Sequence, residues 1–399
     1  MTENSLNTAV SHPAAGYAEA LDWLFVRTRA GRERSVTRMA RLIGQLQLTV
    51  PPKVAHVVGT NGKGTVSAML AAGLQAQGET TGLFISPHVT DYRERISVNG
   101  RQIPEREVTQ FVTELHGTVA AEAAFFELTL ALALRHFAER QVSFLVLEAG
   151  VGARNDATSA VGNTVLTVVT SIAADHQETL GTTIAEITAD KAAAIRPGQP
   201  LVTANQGEAL RVLRRTALEQ GSPLYHPADD PRLFSVPARL RAQGTRAENQ
   251  RLAAAALRLL GASEEAVAAG VSRPALPGRG ERFRIRGRTV LLDGAHDPAA
   301  ARALVAGLEP GYVLLYAGLG RKQRLLTCRQ LASGAASVIS TDVAGHEPLD
   351  WPGAQVIKGS HAAFTAALAL TPPAGLLVIA GSLYLAGELR PLLSELSET

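Results

Sequence analysis

The sequence contains little that would cross-link the chain covalently or place it in a membrane. Cys328 is the single cysteine among 399 residues, which excludes an intramolecular disulfide and a metal site built from several cysteines. Apolar runs are interrupted well before the length of a membrane-spanning helix. The opening MTENSLNTAVSHPAAG lacks the basic and apolar segments of a secretory signal. We therefore expect a cytoplasmic protein with no membrane partner.

An excess of charge is also missing, because 39 basic and 36 acidic residues leave a net charge of +3. Such a small excess suits anionic small substrates but is too weak to indicate nucleic-acid binding. The arginines within 27–41 and 211–215 are predicted to be solvated helix faces. A chain of 399 residues exceeds one ordinary core, so two or three domains are expected.

One stretch that the sequence does contain organises the rest, namely HVVGTNGKGT at 56–65. The β-branched run 54–58 predicts a buried parallel strand, and the apolar spacing after Thr65 predicts a helix. Between them lie three glycines and Lys63. Backbone N–H groups exposed by glycine, a helix N-terminus and a lysine together indicate a phosphate cradle.

This loop departs from the strict pattern G-x-x-x-x-G-K-[ST]. Val57 stands at the first glycine position, Gly64 stands at the hydroxyl position, and the hydroxyl follows one residue later as Thr65. The alternative is a glycine-rich turn that binds nothing, with Lys63 on the surface. The flanking strand and helix favour the phosphate cradle.

Alternation of apolar strands with helices predicts an α/β fold with two units. The first, 1–272, is expected to be a P-loop-type, mostly parallel sheet flanked by helices. A linker rich in proline and glycine is predicted at 273–280. The second unit, 281–399, is expected to be a smaller, Rossmann-like α/β domain. Asn99-Gly100 predicts a hairpin turn inside the first unit.

Polar residues follow successive predicted strands of the first unit: Ser86, Glu148 and His176, beside Lys63. Ligands collect at the carboxyl ends of strands in such sheets, and oxygen donors beside a phosphate cradle suit Mg²⁺. Histidine is less usual for this ion, so the residues leave its role open. The alternative for each is a cap or a satisfied loop residue.

Lys191 lies among small and apolar residues in EITADKAAAIRPG. The residues alone favour a lysine that snorkels from a helix flank. The alternative is a buried neutral amine that reacts with CO₂ to form a carbamate, an anionic oxygen ligand.

In the second unit Asp293 follows a predicted strand and Arg279 precedes it. This places an arginine at the hinge between the two units, where its guanidinium can bind phosphate. Closure of the two units would exclude water from a substrate held between them.

The segments HVVGTNGKGT, SPHVTDYRERISVNG, FFELT, EAGVGARNDATS, ADHQETLGTTIAEITADKAAAIRPG, LPGRGERF, DGAHDP and GSLYLAGELR occur in this order. Together they resemble the bifunctional dihydrofolate synthase/folylpolyglutamate synthase family, related to the Mur ligases. The resemblance implies ATP-dependent amide formation: a carboxylate attacks the γ-phosphate, and the amine of L-glutamate then attacks the acyl phosphate. It implies a monomeric enzyme that takes ATP with Mg²⁺, L-glutamate, and dihydropteroate or a reduced folate.

The resemblance also assigns roles to residues. Lys63, Lys191, His176 and His296 would be catalytic, with Lys191 at the carbamate position. The ATP site would comprise Asn61, Gly62, Lys63, Gly64, Thr65, Asn249, Arg279 and Asp293. The metal ligands would be Ser86, Glu148 and His176. Phe126, Asn155, Asp156 and Ala157 would contact the pterin, and His296 and Ser382 would hold glutamate or the tetrahedral intermediate. For Phe126 the alternative is core packing, and for Asn249 it is a helix cap.

Several positions depart from the family pattern: Asn155 replaces leucine, Asp297 replaces asparagine, and Asp190 replaces the glutamate before Lys191. The histidine and glutamine often found just before the adenine-side asparagine are missing from RAENQRLA, where Asn249 lies. Two other readings remain open. A Mur-type ligase for another carboxylate would carry a nucleotide-sugar domain ahead of the loop, and fewer than 60 residues precede Gly59. A nucleotide-binding protein without turnover could use the same scaffold. Retention of Asp156-Ala157 favours use of both dihydropteroate and tetrahydrofolates.

Overall fold

Two β-sheets follow one another along the chain, and their strand ends face a common cleft. The computed structural model describes residues 16–28, 34–116, 118, 123–319 and 322–398, with only the backbone described at 322 and 323. Strands of the first sheet come from residues 53–225, and strands of the second from 279–380. The two predicted α/β units therefore correspond to two separate sheets.

The first sheet has eight strands in the order β4-β3-β2-β5-β1-β6-β7-β8. Its strands are β1 (Lys53–Val58), β2 (Thr81–Phe84), β3 (Ile96–Val98), β4 (Arg101–Gln102), β5 (Phe144–Glu148), β6 (Thr164–Val169), β7 (Leu201–Thr203) and β8 (Leu224–Tyr225). All pairs are parallel except β2–β3 and β3–β4, so the prediction of a mostly parallel sheet is confirmed. Asn99 and Gly100, both at positive φ, form the predicted hairpin turn.

Helices cover both faces of this sheet, as burial of an apolar parallel sheet requires. They are α1 (Tyr17–Val26), α2 (Val36–Gln45), α3 (Lys63–Ala76), α4 (Glu105–Leu115), α5 (Phe125–Glu139), α6 (Gln177–Leu180), α7 (Ile184–Ala192), α8 (Gly207–Glu219), α9 (Gly244–Leu259) and α10 (Glu264–Ser272). Helices α3, α9 and α10 share one apolar core with the sheet, whereas α1, α2, α4 and α5 share another.

The second sheet has six strands in the order β13-β12-β11-β14-β10-β9. Its strands are β9 (Arg279–Ile285), β10 (Arg288–Asp293), β11 (Tyr312–Tyr316), β12 (Ala335–Ser340), β13 (Ala354–Val356) and β14 (Leu376–Ala380). Its helices are α11 (Pro298–Val305), α12 (Lys322–Ala332), α13 (Ser360–Leu370) and α14 (Leu383–Leu396). Only β9 runs antiparallel to its neighbour. The predicted linker, 273–280, thus includes the first two residues of β9.

Direct contacts join the two halves at the cleft. The Asn61 side chain, in the loop after β1, donates a hydrogen bond of 3.1 Å from Nδ2 to Oδ2 of Asp297 at the start of α11. Gly387 of α14 packs so closely on the backbone of Val89 that a side chain there would overlap its carbonyl. None of the described helices combines the length and apolar character needed to cross a membrane.

Candidate active site

The loop between β1 and α3 has the geometry of an anion cradle. Gly59 has φ 147° and Gly62 has φ 89°, which L side chains rarely adopt. A Cβ at Gly62 would overlap Oδ1 of Asn249, so glycine is required there for space as well as for conformation. Helix α3 begins at Lys63 without a side-chain cap. Its first N–H groups therefore remain available to an anion, supported by the helix dipole.

Two lysines donate hydrogen bonds to one carbonyl in this loop. Nζ of Lys191 lies 2.8 Å from the Gly59 oxygen, and Nζ of Lys63 lies 3.3 Å from the same atom and 3.1 Å from the Thr60 oxygen. Burial, with a smaller contribution from the charge of Lys63, lowers the pKa of Lys191 to about 7. Burial also lowers the pKa of Lys63, against the attraction of Glu148. An anion bound here would stabilise both ammonium groups.

Lys191 is only 3% exposed, with its amine in hydrogen-bonding contact with the phosphate loop. The prediction, from the residues alone, that Lys191 extends its amine from a helix flank into solvent is therefore wrong. Proximity of Gly59, which is far away in sequence, keeps the amine inside the cleft. A pKa near 7 leaves a substantial neutral fraction at physiological pH.

Glu148 ends β5 directly beside the start of α3. Its Oε2 accepts a hydrogen bond of 2.9 Å from the backbone N–H of Ser86, and it lies 3.3 Å from where a Cβ at Gly64 would be. Burial raises the pKa of Glu148, while the charge of Lys63 opposes the shift. Ser86 and Glu148 therefore meet at the loop, as the sequence predicted.

His176 flanks the loop on the side of β6. It adopts a left-handed conformation, φ 50° and ψ 37°, just before the short α6. Its side chain is 48% exposed, and Nε2 lies 3.5 Å from Oδ2 of Asp175. Burial lowers the pKa of His176, and the charges of Lys63 and Lys191 push it in the same direction. The imidazole is thus held in the neutral form that can donate a lone pair to a metal.

The donor set suits a hard divalent cation that shares its coordination sphere with phosphate and water. Among the described residues no group of three His, Cys, Asp or Glu side chains could hold a metal by itself. A buried carboxylate that contacts the backbone of Ser86, together with a neutral imidazole at the same loop, offers part of such a sphere. Both Glu148 and His176 interact electrostatically with Lys63, so all three lie at one edge of the sheet.

A second group of predicted residues meets around Gly150, directly after β5. A Cβ at this glycine would lie 2.9 Å from Cζ of Phe126 and 3.0 Å from Oδ2 of Asp156. The half-buried ring of Phe126 packs edge-on against Phe84, with 5.6 Å between centroids. Asp156 is buried, as is Ala157 beside it, whereas Asn155 is exposed. The structure thus brings Phe126 and Asp156 together, with Asn155 outside their contact.

The second sheet presents Arg279 and Asp293 to the loop. The two residues are paired across β9 and β10. Burial raises the pKa of Asp293, opposed chiefly by the charge of Arg279. Arg279 also interacts electrostatically with Lys63 and Glu148, which places its guanidinium toward the phosphate loop.

His296 and Ser382 approach the cleft from loops of the second sheet. His296 is exposed, with its Nδ1 2.9 Å from the Gly294 oxygen, and it acts electrostatically on His176. Ser382 is buried, and its Oγ accepts a hydrogen bond of 3.0 Å from the N–H of Tyr384, capping α14. The hydroxyl of Ser382 already serves as a helix cap.

Asn249 lies in the second turn of α9, which begins at Gly244, so it is not a helix cap. Its side chain lies against Gly62 at the phosphate loop. This contact places the predicted adenine-side asparagine beside the nucleotide cradle.

Several arginines have contacts that their sequence context did not indicate. Arg95 is 7% exposed, and its Nε donates a hydrogen bond of 2.7 Å to Nδ1 of His88. No ion pair joins Arg95 to a carboxylate in the part of the chain that the structure describes. Nothing in the segment SPHVTDYRER indicates this burial; because burying an unpaired charge costs free energy, the position favours binding of an anion.

Arg34 and Arg38 correct the prediction that the arginines of 27–41 are solvated. Arg34 donates a hydrogen bond to the carbonyl of Val151, and Nε of Arg38 lies 2.7 Å from Oε2 of the buried Glu127. Both therefore anchor α2 to the surroundings of Phe126 and Gly150. By contrast, Arg211, Arg214 and Arg215 are exposed, as predicted.

Comparison with known proteins agrees with this geometry, although no family model matches the chain. The dihydrofolate synthase/folylpolyglutamate synthase of Bacillus subtilis is 35% identical over 333 residues, or 73% of this chain and 76% of that protein. The chain belongs to the dihydrofolate synthase/folylpolyglutamate synthase family. The Escherichia coli protein of the same name is 34% identical over 319 residues, covering 74% of this chain and 73% of its own length.

Solved structures of the family share the fold over nearly the whole chain. Escherichia coli FolC in complex with DHPP and ADP matches with a TM-score of 0.85 and 27% identity, covering 96% of this chain and 99% of that one. A bifunctional folylpolyglutamate synthase/dihydrofolate synthase with Mn, AMPPNP and L-glutamate bound matches with a TM-score of 0.82 and 26% identity, covering 96% of this chain and 99% of that one. As a member of this family, the protein is an ATP-dependent ligase that attaches glutamate in folate metabolism.

Proposed function

We propose that the protein is bifunctional: it joins L-glutamate to dihydropteroate and also extends the glutamate tail of reduced folates. The convergence of charged groups on one loop carries the ligase chemistry, and the retained Asp156-Ala157 pair supports the use of both acyl substrates. Lys63 and Lys191 share the Gly59 carbonyl, and Glu148 lies at Gly64 on the other side of the same turn. Such a cluster neutralises a triphosphate and holds it in line for attack by a carboxylate.

Residues of both sheets would hold ATP. The N–H groups at 62–65 and the ammonium of Lys63 would bind the phosphates, since they form the helix N-terminal cradle. Asn249 lies against Gly62 and would contact the adenine side. Arg279 and Asp293 would complete the site from the second sheet, where burial and mutual attraction fix the pair.

Ser86, Glu148 and His176 would hold Mg²⁺, as their oxygen and nitrogen donors at one sheet edge permit. Mg²⁺ when bound would neutralise charge on the β- and γ-phosphates during transfer. A Mn ion and AMPPNP are present together in a Yersinia pestis relative, which supports the use of a divalent ion with the nucleotide.

Phe126, Asn155, Asp156 and Ala157 would form the pterin pocket beside Gly150. Arg95 would hold the carboxylate that becomes phosphorylated, because this buried guanidinium is close enough to Glu148 for their charges to interact. The carboxylate oxygen attacks the γ-phosphorus, the bond to ADP breaks, and an acyl phosphate forms. The amine of glutamate, held near His296 and Ser382, then attacks the carbonyl carbon and expels phosphate.

Lys191 would act as a carbamate. Its pKa of about 7 supplies the neutral amine that attacks CO₂, with loss of one proton. The resulting anion would pair with Lys63, which shares its hydrogen-bonding partner. We further propose that the protein works as a cytoplasmic monomer, with the units 1–272 and 281–399 closing on the substrates.

A coupled assay tests the function directly. Phosphate release is followed with ATP, Mg²⁺ and L-glutamate, first with dihydropteroate and then with tetrahydrofolate. We expect turnover with both, dependent on glutamate, and no release when glutamate is omitted. Activity with one acyl substrate alone would contradict bifunctionality. Binding of ATP without turnover on any pteroate or folate would instead indicate a nucleotide-binding protein.

A further inference from the structure

A buried chain of hydrogen bonds connects the middle of β1 with the wall of the proposed pterin pocket. Nε2 of His56 lies 2.9 Å from Oγ1 of Thr158, which in turn donates a hydrogen bond of 2.5 Å to Oδ1 of Asp156. All three side chains are at most 2% exposed. Neither His56 nor Thr158 belongs to the predicted site, so the network is not explained by the proposed chemistry.

The Asp156 carboxylate is fully occupied by donors from its own turn. Oδ1 accepts bonds from the N–H and the hydroxyl of Thr158, and Oδ2 accepts a bond of 3.0 Å from the N–H of Val151. The backbone of Gly150 supplies a further hydrogen bond to this carboxylate. A carboxylate offers about four lone-pair sites, so these donors account for its capacity. Asp156 therefore fixes the shape of the turn at 150–158.

Asp156 sets the direction of the hydrogen bond between His56 and Thr158. Burial lowers the pKa of His56 to about 3, so the imidazole is neutral and one ring nitrogen carries the proton. Burial raises the pKa of Asp156, but the N–H groups of Val151 and Thr158 donate to both of its oxygens, and the Thr158 hydroxyl donates to Oδ1 as well. The hydroxyl must then receive its own hydrogen bond, and Nε2–H of His56 is the donor in contact with it. Without that donor the hydroxyl could rotate toward other acceptors.

We infer that His56 and Thr158 are positioning residues for the acyl-substrate pocket, which they hold in shape through Asp156. The contact of Gly150 with both Phe126 and Asp156 carries the effect to the pocket, because a small displacement of the turn opens or closes the space beside the ring. The network does not include the phosphate loop, since His56 precedes Gly59 and its side chain contacts Thr158. Its assignment to a pterin-binding pocket rests on the proposed function.

Thr158→Val tests the inference with a nearly isosteric change that removes the hydroxyl. We expect the KM for dihydropteroate to rise roughly tenfold, the size of effect that one lost hydrogen bond produces. The KM for ATP and kcat should change less than about twofold. Thr158→Ser retains the hydroxyl and should restore the KM. His56→Gln, which keeps a donor, should be milder than His56→Leu.

A matched control separates positioning from general loss of stability. His136 is another buried imidazole, but it pairs with Glu107 at 2.7 Å on α4, away from this turn. His136→Gln should leave the KM for dihydropteroate unchanged. An unchanged KM in Thr158→Val, or an equal rise in the KM for ATP, would overturn the inference.

Amide hydrogen exchange provides a readout that needs no substrate. Exchange at Gly150 and Val151 should accelerate in Thr158→Val, because Asp156 would hold their N–H groups less firmly. If the wild type used no pteroate but exchange still accelerated, the proposed function would fail while the network stood. Unchanged exchange in Thr158→Val would refute the network itself.

Discussion

The two sheet edges that face each other across the cleft carry different kinds of polar groups. On the first edge Lys63, Lys191 and Glu148 are desolvated, and burial shifts the pKa of each. On the second edge His296 is exposed, while Oδ1 of Asp297 accepts hydrogen bonds from the N–H groups of Ala299 and Ala300. Burial is not confined to the first edge, however, since Asp297 is only 1% exposed and burial raises the pKa of Asp293.

This difference indicates that the two edges serve different steps of the reaction. Charges held in a site of low dielectric act strongly on a reacting phosphate, because neither water nor reorganisation weakens them. The first edge is therefore suited to the phosphoryl transfer itself. The second edge, with solvated and helix-capping groups, is suited to completing the site on closure. Removal of charges should consequently cost much more on the first edge than on the second.

Lys63→Met should give the largest loss. The variant keeps most of the side-chain length but removes the ammonium beside the Gly59 and Thr60 carbonyls. We expect kcat/KM for ATP to fall at least 10³-fold, or about 4 kcal/mol of transition-state stabilisation. Lys53→Met is the control, since Lys53 starts the same strand but is half exposed and pairs with Glu79. Comparable losses in both variants would abolish the distinction between buried and solvated charges.

Lys191→Ala should lose roughly 100-fold in kcat, less than Lys63→Met, because Lys63 remains at the loop. Small carboxylates such as acetate should restore part of the activity, since they can occupy the place of the carbamate. Lys358→Ala removes an exposed lysine of the second unit and should be neutral. Full activity of Lys191→Ala would remove the carbamate from the mechanism, and a loss without rescue would leave only the cationic role.

The phosphate loop could be predicted because its signal is local. Strand, glycines, lysine and helix lie within 54–74, and each feature acts on its immediate neighbours. The polar strand ends Ser86 and Glu148 were also predictable, because parallel strands bring their carboxyl ends to one edge. Likewise, Asn99-Gly100 specifies its hairpin through its own backbone preferences.

Other features depended on contacts that local patterns do not encode. Lys191 is buried because its amine reaches a carbonyl 132 residues away, which no periodicity in its own helix reveals. Strands β7 and β8 contain three and two residues, too few to show alternation. The sequence pattern predicts a surface position for Arg38. Its ion pair with Glu127 forms only because α2 packs on α5.

Asp297 tests the weaker edge, because it links the second unit to the phosphate loop through Asn61. Asp297→Ala removes this hydrogen bond and the cap of α11, so we expect roughly a tenfold loss in kcat/KM for ATP. The cap alone should cost about 1 kcal/mol of stability. Asp297→Asn keeps an oxygen for the cap, and a flip of the Asn61 amide lets its Oδ1 accept from the introduced NH2 group, so this variant should lose no more than about threefold. An alanine variant as impaired as Lys63→Met would place essential chemistry on the second edge.

His56 distinguishes the two units by acid stability rather than by activity. Its pKa is about 3 when folded, against 6.5 for an imidazole exposed to water, as in the unfolded chain. The unfolded state therefore binds the proton more readily below pH 6.5. The stabilising contribution is fully present above pH 6.5 and is lost as the pH falls toward 3. Linkage gives a loss of about 2 kcal/mol between pH 7 and pH 5.

His56→Gln cannot titrate, so its free energy of unfolding should fall less steeply over this interval than that of the wild type. Urea unfolding at pH 7, 6 and 5 measures the slope. His361 on α13 is exposed, and His361→Gln should leave the slope unchanged. An identical slope for His56→Gln and the wild type would show that the imidazole is protonated within the fold. In that case the first unit would not hold the buried neutral histidine on which the contrast between the two units partly depends.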